Sequence, residues 1–150
     1  MWIFNSEFRI PNSEIAKMII GTGIDIVKIE RIERIIARWG KLFLNRVFTE
    51  NEIRWCQQRS RPASCFALRF AAKEAFLKAI GWGLQNGIRW TDMEVERTPM
   101  GKPFLSFQRK VREIVETQKI ERVHLTLSDE PPFALAHVIL EGRDDEGRNR

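Results

Sequence analysis

The stretch Arg69-Phe70-Ala71-Ala72-Lys73-Glu74-Ala75-Phe76-Leu77-Lys78-Ala79-Ile80-Gly81-Trp82-Gly83 constrains this chain more than any other. Ala, Leu, Lys and Glu dominate it and no β-branched run interrupts it, so it reads as the second half of a helix. Ser64 is the expected N-cap, and Gly81 stands where a left-handed C-terminal cap belongs. Phe66, Phe70, Leu77 and Ile80 recur at helical spacing and form one apolar stripe. Glu74 falls on that same stripe, between Phe70 and Leu77. A carboxylate there is costly unless it is paired or holds a metal. Three readings stay open from the helix alone: an intrahelical pair with Lys78, an edge position that reaches water, or a functional acid.

Asp25 is the second acid in an apolar setting. Met18-Ile19-Ile20-Gly21-Thr22-Gly23-Ile24-Asp25-Ile26-Val27 reads as a buried strand over Ile19 to Val27, punctuated by two glycines. Asp is depleted in strands and expensive when buried. It is either a strand-end residue capping the next helix or a metal ligand or general base. If this strand packs on the Glu74 helix, the two carboxylates meet. Two close carboxylates repel, and one is protonated unless a cation lies between them. Magnesium typically takes one or two carboxylates, waters and substrate phosphates. Lys73 and Lys78 flank Glu74 and would neutralise phosphate charge.

The remaining chain supplies a small α+β framework. Lys28 to Trp39 predicts an amphipathic helix with Ile29, Ile32, Ile36 and Trp39 inward. Arg31, Arg34, Arg38 and Lys41 recur on its opposite face, with Glu30 and Glu33 to one side, a credible dock for an acidic helix. Leu42 to Val47 is a further short turn. Thr49 with Glu52 forms a capping-box pattern opening a helix to Gln58. Asp92 to Thr98 and Phe104 to Phe107 predict short strands around the turn Pro99 to Pro103. Gln108 to Lys119 predicts a helix. Arg122 to Ser128 and Phe133 to Leu140 predict a terminal hairpin. Residues 1–17 read as an N-terminal extension, 18–141 as one domain and 142–150 as a charged tail.

Composition narrows the classes. The 150 residues carry a net charge of +5, which favours acidic partners without naming them. No run approaches the ~18 apolar residues of a membrane span, and the N-terminus lacks a secretory pattern, so a cytoplasmic protein with no membrane partner is expected. Cys56 and Cys65 form no CxxC and have no histidine at ligand spacing, so reduced thiols and no zinc site are expected. His124 and His137 lie in apolar runs and read as structural.

At four segments the chain resembles the bacterial holo-(acyl-carrier-protein) synthases of the 4′-phosphopantetheinyl transferase superfamily. They are Gly21 to Val27, Arg69 to Gly83, Gly101-Lys102-Pro103 and Val123-His124-Leu125-Thr126-Leu127-Ser128-Asp129-Glu130, and they occur in matching order. The resemblance implies the 4′-phosphopantetheinyl transferase fold, a small antiparallel sheet packed against helices, and a homotrimer with sites shared between neighbouring subunits. It implies transfer of 4′-phosphopantetheine from coenzyme A to a serine of apo acyl carrier protein, releasing adenosine 3′,5′-bisphosphate and supporting fatty acid biosynthesis. By resemblance Asp25 and Glu74 bind magnesium (Mg2+) and, with Lys78, form the catalytic set. Lys73, Lys78, Gly81 and Gly83 fall where the family holds coenzyme A. Gly101, Lys102 and Pro103 fall near its adenine end. Arg31, Arg34, Arg38 and Lys41 fall on the carrier-docking helix. Two positions depart from the common pattern: Asp129 stands where many members have His, and Trp82 where Thr is usual.

Two rival classes compete with this reading. A non-catalytic module would use the Arg31–Lys41 face to bind an acidic protein or RNA, but no aromatic-interleaved basic patch or RNP-like motif is evident, and no nucleic-acid partner is expected. Another phosphoryl enzyme would use the same acid pair, but the chain has no P-loop.

Overall fold

The computed structural model describes residues 17–143. The expected N-terminal extension, apart from Lys17, and the tail beyond Arg143 lie outside the described residues. In chain order the elements are β1 (Met18–Lys28), α1 (Ile29–Trp39), α2 (Lys41–Val47), α3 (Glu50–Gln57), α4 (Pro62–Ile80), β2 (Met93–Arg97), β3 (Pro103–Phe107), α5 (Arg109–Thr117), β4 (Ile120–Glu130) and β5 (Phe133–Gly142). A single 3-10 turn, Trp90–Asp92, precedes β2. The α+β expectation holds: a three-stranded antiparallel sheet in the order β1-β5-β4 carries α4 on one face, and β2-β3 form a separate hairpin.

The way α4 meets the sheet is set by small residues. Ala71, Ala72 and Ala75 of α4 and Ala134, Ala136 and Val138 of β5 are fully buried. On β1, Gly21 and Gly23 face the helix. A Cβ at Gly21 would collide with the Ala79 carbonyl oxygen, and one at Gly23 with that of Ala75. Hydrogen at these two positions is what lets β1 lie directly against the α4 backbone.

That packing divides β1 into two faces, and corrects the expectation of a strand buried on both. Gly23, Asp25 and Val27 point towards α4, whereas Ile24 and Ile26 are 56% and 60% exposed. The reason is topological: β1 is an edge strand, and the described residues leave the sheet's outer face uncovered beside Ile24 and Ile26.

Several local expectations are met. Thr49 and Glu52 close a capping box on α3, and Gly81 ends α4 at φ 73°. The start of α4 differs. Pro62 occupies the first turn and Arg61 the cap position, so Ser64 is already inside the helix. Proline's fixed φ suits that place and its missing N–H costs nothing there. Trp39 is also misplaced by its periodicity. It ends α1 beside the Gly40 turn and is 53% exposed, with the Arg38 guanidinium 5.1 Å from its ring centre.

The expectation of reduced thiols is overturned. Cys56, near the end of α3, and Cys65, in the first turns of α4, form a disulfide with their Cα atoms 5.4 Å apart. A short loop returns the chain between two packed helices and brings the sulfurs together, a proximity that a sequence separation of 9 does not reveal.

Candidate active site

The site lies where the inner face of β1 meets α4. The alternation of β1 turns Asp25 towards the helix, on the same side as Gly23. Lys78, one turn before the α4 cap, reaches across. Its Nζ donates to Asp25 Oδ1 at 2.8 Å and to the Ile24 carbonyl at 3.0 Å. Asp25 therefore does not cap α1, and the N-cap position, Lys28, makes no side-chain cap bond.

Glu74 sits one turn before Lys78 on α4 and is half-buried. Burial raises its carboxyl above the ordinary value of 4.5, and the nearby Asp25 raises it further. Lys78 and Arg31 oppose that rise. The two acids read from the sequence thus share one electrostatic neighbourhood, although they are far apart in the chain. Lys78 pairs with Asp25 rather than with Glu74, which removes the simple intrahelical reading. Arg31, exposed on α1, contributes positive potential to the same corner.

This donor set fits a hard divalent cation. Two carboxylates in one electrostatic neighbourhood, one of them resisting ionisation because of burial and of the other acid, are stabilised by a cation between them. They supply the one or two oxygen ligands that magnesium takes from protein, leaving positions for water and phosphate. Among the described residues no cluster of three or more His, Cys, Asp or Glu side chains forms a complete metal cage.

Lys73 does not belong to this corner. Its side chain is fully buried, with Nζ 2.7 Å from Glu52 Oε2 and 2.8 Å from the Val47 carbonyl. Burial pushes the ammonium below the ordinary lysine range while Glu52 acts against that shift. Glu52 in turn accepts from the backbone N–H of Val95 at 2.9 Å and of Thr49 at 3.0 Å. Lys73 ties α2, α3, α4 and β2 together, and its ammonium is buried among them. The resemblance implies a coenzyme A contact here, whereas the structure pairs the buried Lys73 with Glu52: adjacent helix positions diverge by ~100°, so Lys73 and Glu74 face different surroundings.

Gly81 and Gly83 stand in an exposed turn after α4 with the half-buried Trp82 between them. Gly101 and Lys102 lie in the β2–β3 turn and Pro103 opens β3; in the turn the Thr98 hydroxyl accepts from the Lys102 N–H at 3.1 Å. The docking row is less regular than its spacing predicts. Arg31, Arg34 and Arg38 are exposed on α1, but Gly40 breaks the helix at φ 47° and puts Lys41 on α2. Arg34 lies 3.7 Å from Glu30, so the row is not free of acids.

A cavity of about 420 Å³ escaped the sequence reading. Arg59, Arg61, Arg69 and Arg97 line it together with Gly101, Asp129 and Cys65, whereas Asp25, Glu74 and Lys78 do not. Arg61 is 3.8 Å from Asp129. The Arg59 guanidinium stacks 3.8 Å from the Trp55 ring centre. Arg69 is 3% exposed, and burial lowers its guanidinium to about 10. Its Nε has no hydrogen-bond partner among the described residues. The run Arg59-Ser60-Arg61 is the one signal in the sequence, but Arg97 reaches the cavity from β2 and only the fold brings it there.

The family model of the 4′-phosphopantetheinyl transferase superfamily matches residues 21–136. A holo-(acyl-carrier-protein) synthase of Koribacter versatilis is 47% identical over 124 residues, covering 83% of this chain and 99% of the relative. The crystal structure of the Neisseria meningitidis synthase superposes with a TM-score of 0.77 at 36% identity, covering 82% of this chain and 98% of that one. A Bacillus anthracis synthase, in complex with "CoA (3′,5′-ADP)", superposes with a TM-score of 0.68 at 37% identity, covering 83% and 98%. The matched span contains α4, both acids and most of β1, and at this identity and coverage the chain belongs to the 4′-phosphopantetheinyl transferase superfamily, alongside the bacterial holo-(acyl-carrier-protein) synthases.

Proposed function

We propose that the Asp25–Glu74–Lys78 corner transfers 4′-phosphopantetheine from coenzyme A to the serine hydroxyl of an apo acyl carrier protein. The observation that carries this reading is the Lys78–Asp25 bond across the glycine-lined β1–α4 contact, with Glu74 one turn before Lys78 and in the electrostatic reach of Asp25. In the transfer, the serine oxygen forms a bond to the β-phosphorus of coenzyme A. The diphosphate P–O bond breaks and adenosine 3′,5′-bisphosphate leaves. Glu74, whose carboxyl holds a proton more readily than an ordinary one, accepts the serine proton. Lys78 is half-exposed and already donates to two oxygens, so it is placed to share its charge with a phosphate oxygen of the leaving group. Asp25 and Glu74 would hold magnesium, which when bound supplies positive charge to the diphosphate.

The arginine cavity suits the anionic end of coenzyme A, because Gly101, which the resemblance assigns to the adenine end, lines it. Gly81, Gly83, Lys102 and Pro103 are the remaining contacts assigned to coenzyme A. Since the cavity and the acid pair have no lining residue in common, a site shared between neighbouring subunits of a homotrimer is the arrangement we favour. The exposed Ile24 and Ile26 on the uncovered outer face of the sheet support self-association. Arg31, Arg34, Arg38 and Lys41 are assigned to docking the acidic carrier protein, and a cytoplasmic location goes with that assignment. Among the described residues no helix is long and apolar enough to cross a membrane.

Mass spectrometry of a carrier protein incubated with coenzyme A, magnesium and this protein tests the reading. Addition of one phosphopantetheine is expected, and loss of that addition in Asp25→Ala and Glu74→Ala. A Glu74→Ala protein with near-full activity would refute the assignment.

A further inference from the structure

The Cys56–Cys65 disulfide borders the arginine cavity. Cys65 lines it, and Arg69 Nη1 lies 3.0 Å from Cys65 Sγ. Among the described residues no carboxylate lies within salt-bridge distance of Arg69, and the buried Glu52 is committed to Lys73. The guanidinium is nevertheless almost wholly buried, with one nitrogen unpartnered. A buried cation in that condition favours an anion next to it.

We propose that the oxidation state of Cys65 decides which anion Arg69 serves, so that the cysteine pair is a thiol–disulfide switch on the anion affinity of this cavity. This rests on the reading of the cavity as the pocket for the anionic end of coenzyme A. In the disulfide, Cys65 Sγ is neutral and only a weak acceptor, and the charge of Arg69 is available to a phosphate. An incoming low-molecular-weight thiolate, such as glutathione, attacks one sulfur and forms a mixed disulfide, expelling the other as thiolate. A second glutathione thiolate resolves it. Two glutathiones become one glutathione disulfide, and the protein gains two electrons and, at neutral pH, up to two protons. Cys65 then stands as a thiol beside a guanidinium, the setting that lowers a cysteine pKa and favours the thiolate. The thiolate, on a sulfur that in the disulfide already lies 3.0 Å from Arg69 Nη1, neutralises the guanidinium and competes with the ligand phosphate. Reduction therefore weakens anion binding, and oxidation strengthens it.

The probe is adenosine 3′,5′-bisphosphate, which has no thiol of its own to disturb the redox state. Its Kd is measured by titration calorimetry on the full chain, equilibrated with glutathione disulfide or with glutathione, with thiols counted in each state. The oxidised protein is expected to bind about tenfold more tightly, the scale of one charge-assisted hydrogen bond. Two serine variants separate charge from loop closure. Cys65→Ser removes the thiolate and should bind as the oxidised protein does. Cys56→Ser keeps the Cys65 thiol and should bind as the reduced protein does. Equal Kd values in the two redox states, equal Kd values for the two variants, or no loss of thiols under glutathione disulfide would each overturn the proposal. If bisphosphate binds and phosphopantetheine is transferred while these outcomes occur, the switch alone fails. If neither occurs, the functional reading fails with it.

Discussion

Replacing Lys73 by Met decides between a lysine that touches coenzyme A, as the family resemblance implies, and one that braces the fold. Met has a similar length and fills the same buried space, so the change removes mainly the charge. In the wild-type protein Nζ satisfies Glu52 Oε2 at 2.7 Å and the Val47 carbonyl at 2.8 Å, and both members of the pair are buried. In Lys73→Met the Glu52 carboxylate keeps its bonds from Val95 N–H and Thr49 N–H but loses its buried counter-charge at 2.7 Å. Removing one partner of a buried pair costs about 3–5 kcal/mol. At roughly 2–4 °C per kcal/mol for a chain of this size, Tm falls by about 6–20 °C. A neutral amide at position 52 relieves the stranded charge, so Lys73→Met with Glu52→Gln should recover about half of that loss. Thermal unfolding followed by circular dichroism reads both effects. Transfer activity measured well below the lowered Tm should keep its coenzyme A KM within about twofold, since no substrate contact is removed. A Tm within about 2 °C of wild type, together with a roughly tenfold rise in coenzyme A KM, would refute this reasoning and restore the sequence assignment.

Gly23→Ala should damage transfer more than stability. Its Cβ would press on the Ala75 carbonyl and force β1 off α4, costing about 1–3 kcal/mol by overpacking, while a displacement of Asp25 on the order of 1 Å lowers kcat about 100-fold. An alanine variant with normal kcat would show that the glycine contact is not what positions Asp25. Glu74→Gln should be inactive but unfold at a higher temperature than wild type at pH 7. Because the folded-state pKa of Glu74 is raised, the native state binds more protons than the unfolded state above about pH 4.5, and stability is lost as pH rises through the raised value. The advantage of Gln should therefore vanish on acidification below that range, and a pH-independent gap in Tm would contradict the sign. Charge reversal at Arg34 and Arg38 should raise the carrier-protein KM and flatten its dependence on salt with little change in kcat, read from kinetics at two ionic strengths. An unchanged KM would move the docking surface elsewhere.

Much of the fold was legible because its elements follow local rules. The α3 capping box, the glycine cap of α4 and the strand pair at the C-terminus occur close to where spacing and turn residues put them. Departures come where neighbours override the local pattern. Trp39 follows the inward period of α1, yet the helix ends there at a positive-φ glycine and leaves the ring at the surface. Ser64 is a good cap by type, but Pro62 starts the helix earlier. The two cysteines form no motif, and a loop between packed helices joins them.

The candidate site divides the same way. That Asp25 and Glu74 are out of place is a statement about single residues on periodic elements, and the amino-acid order is enough to make it. Whether they meet depends on how closely two backbones approach, which glycine at positions 21 and 23 permits but does not announce. Lys73 and Glu74 are neighbours in the chain and similar in polarity, so no linear pattern distinguishes the strut from the acid. Only the packing of α3 and β2 on one side of the helix, and of β1 on the other, assigns them opposite tasks. Burial and charge pairing are properties of what surrounds a side chain in three dimensions, and the local order of residues determines neither.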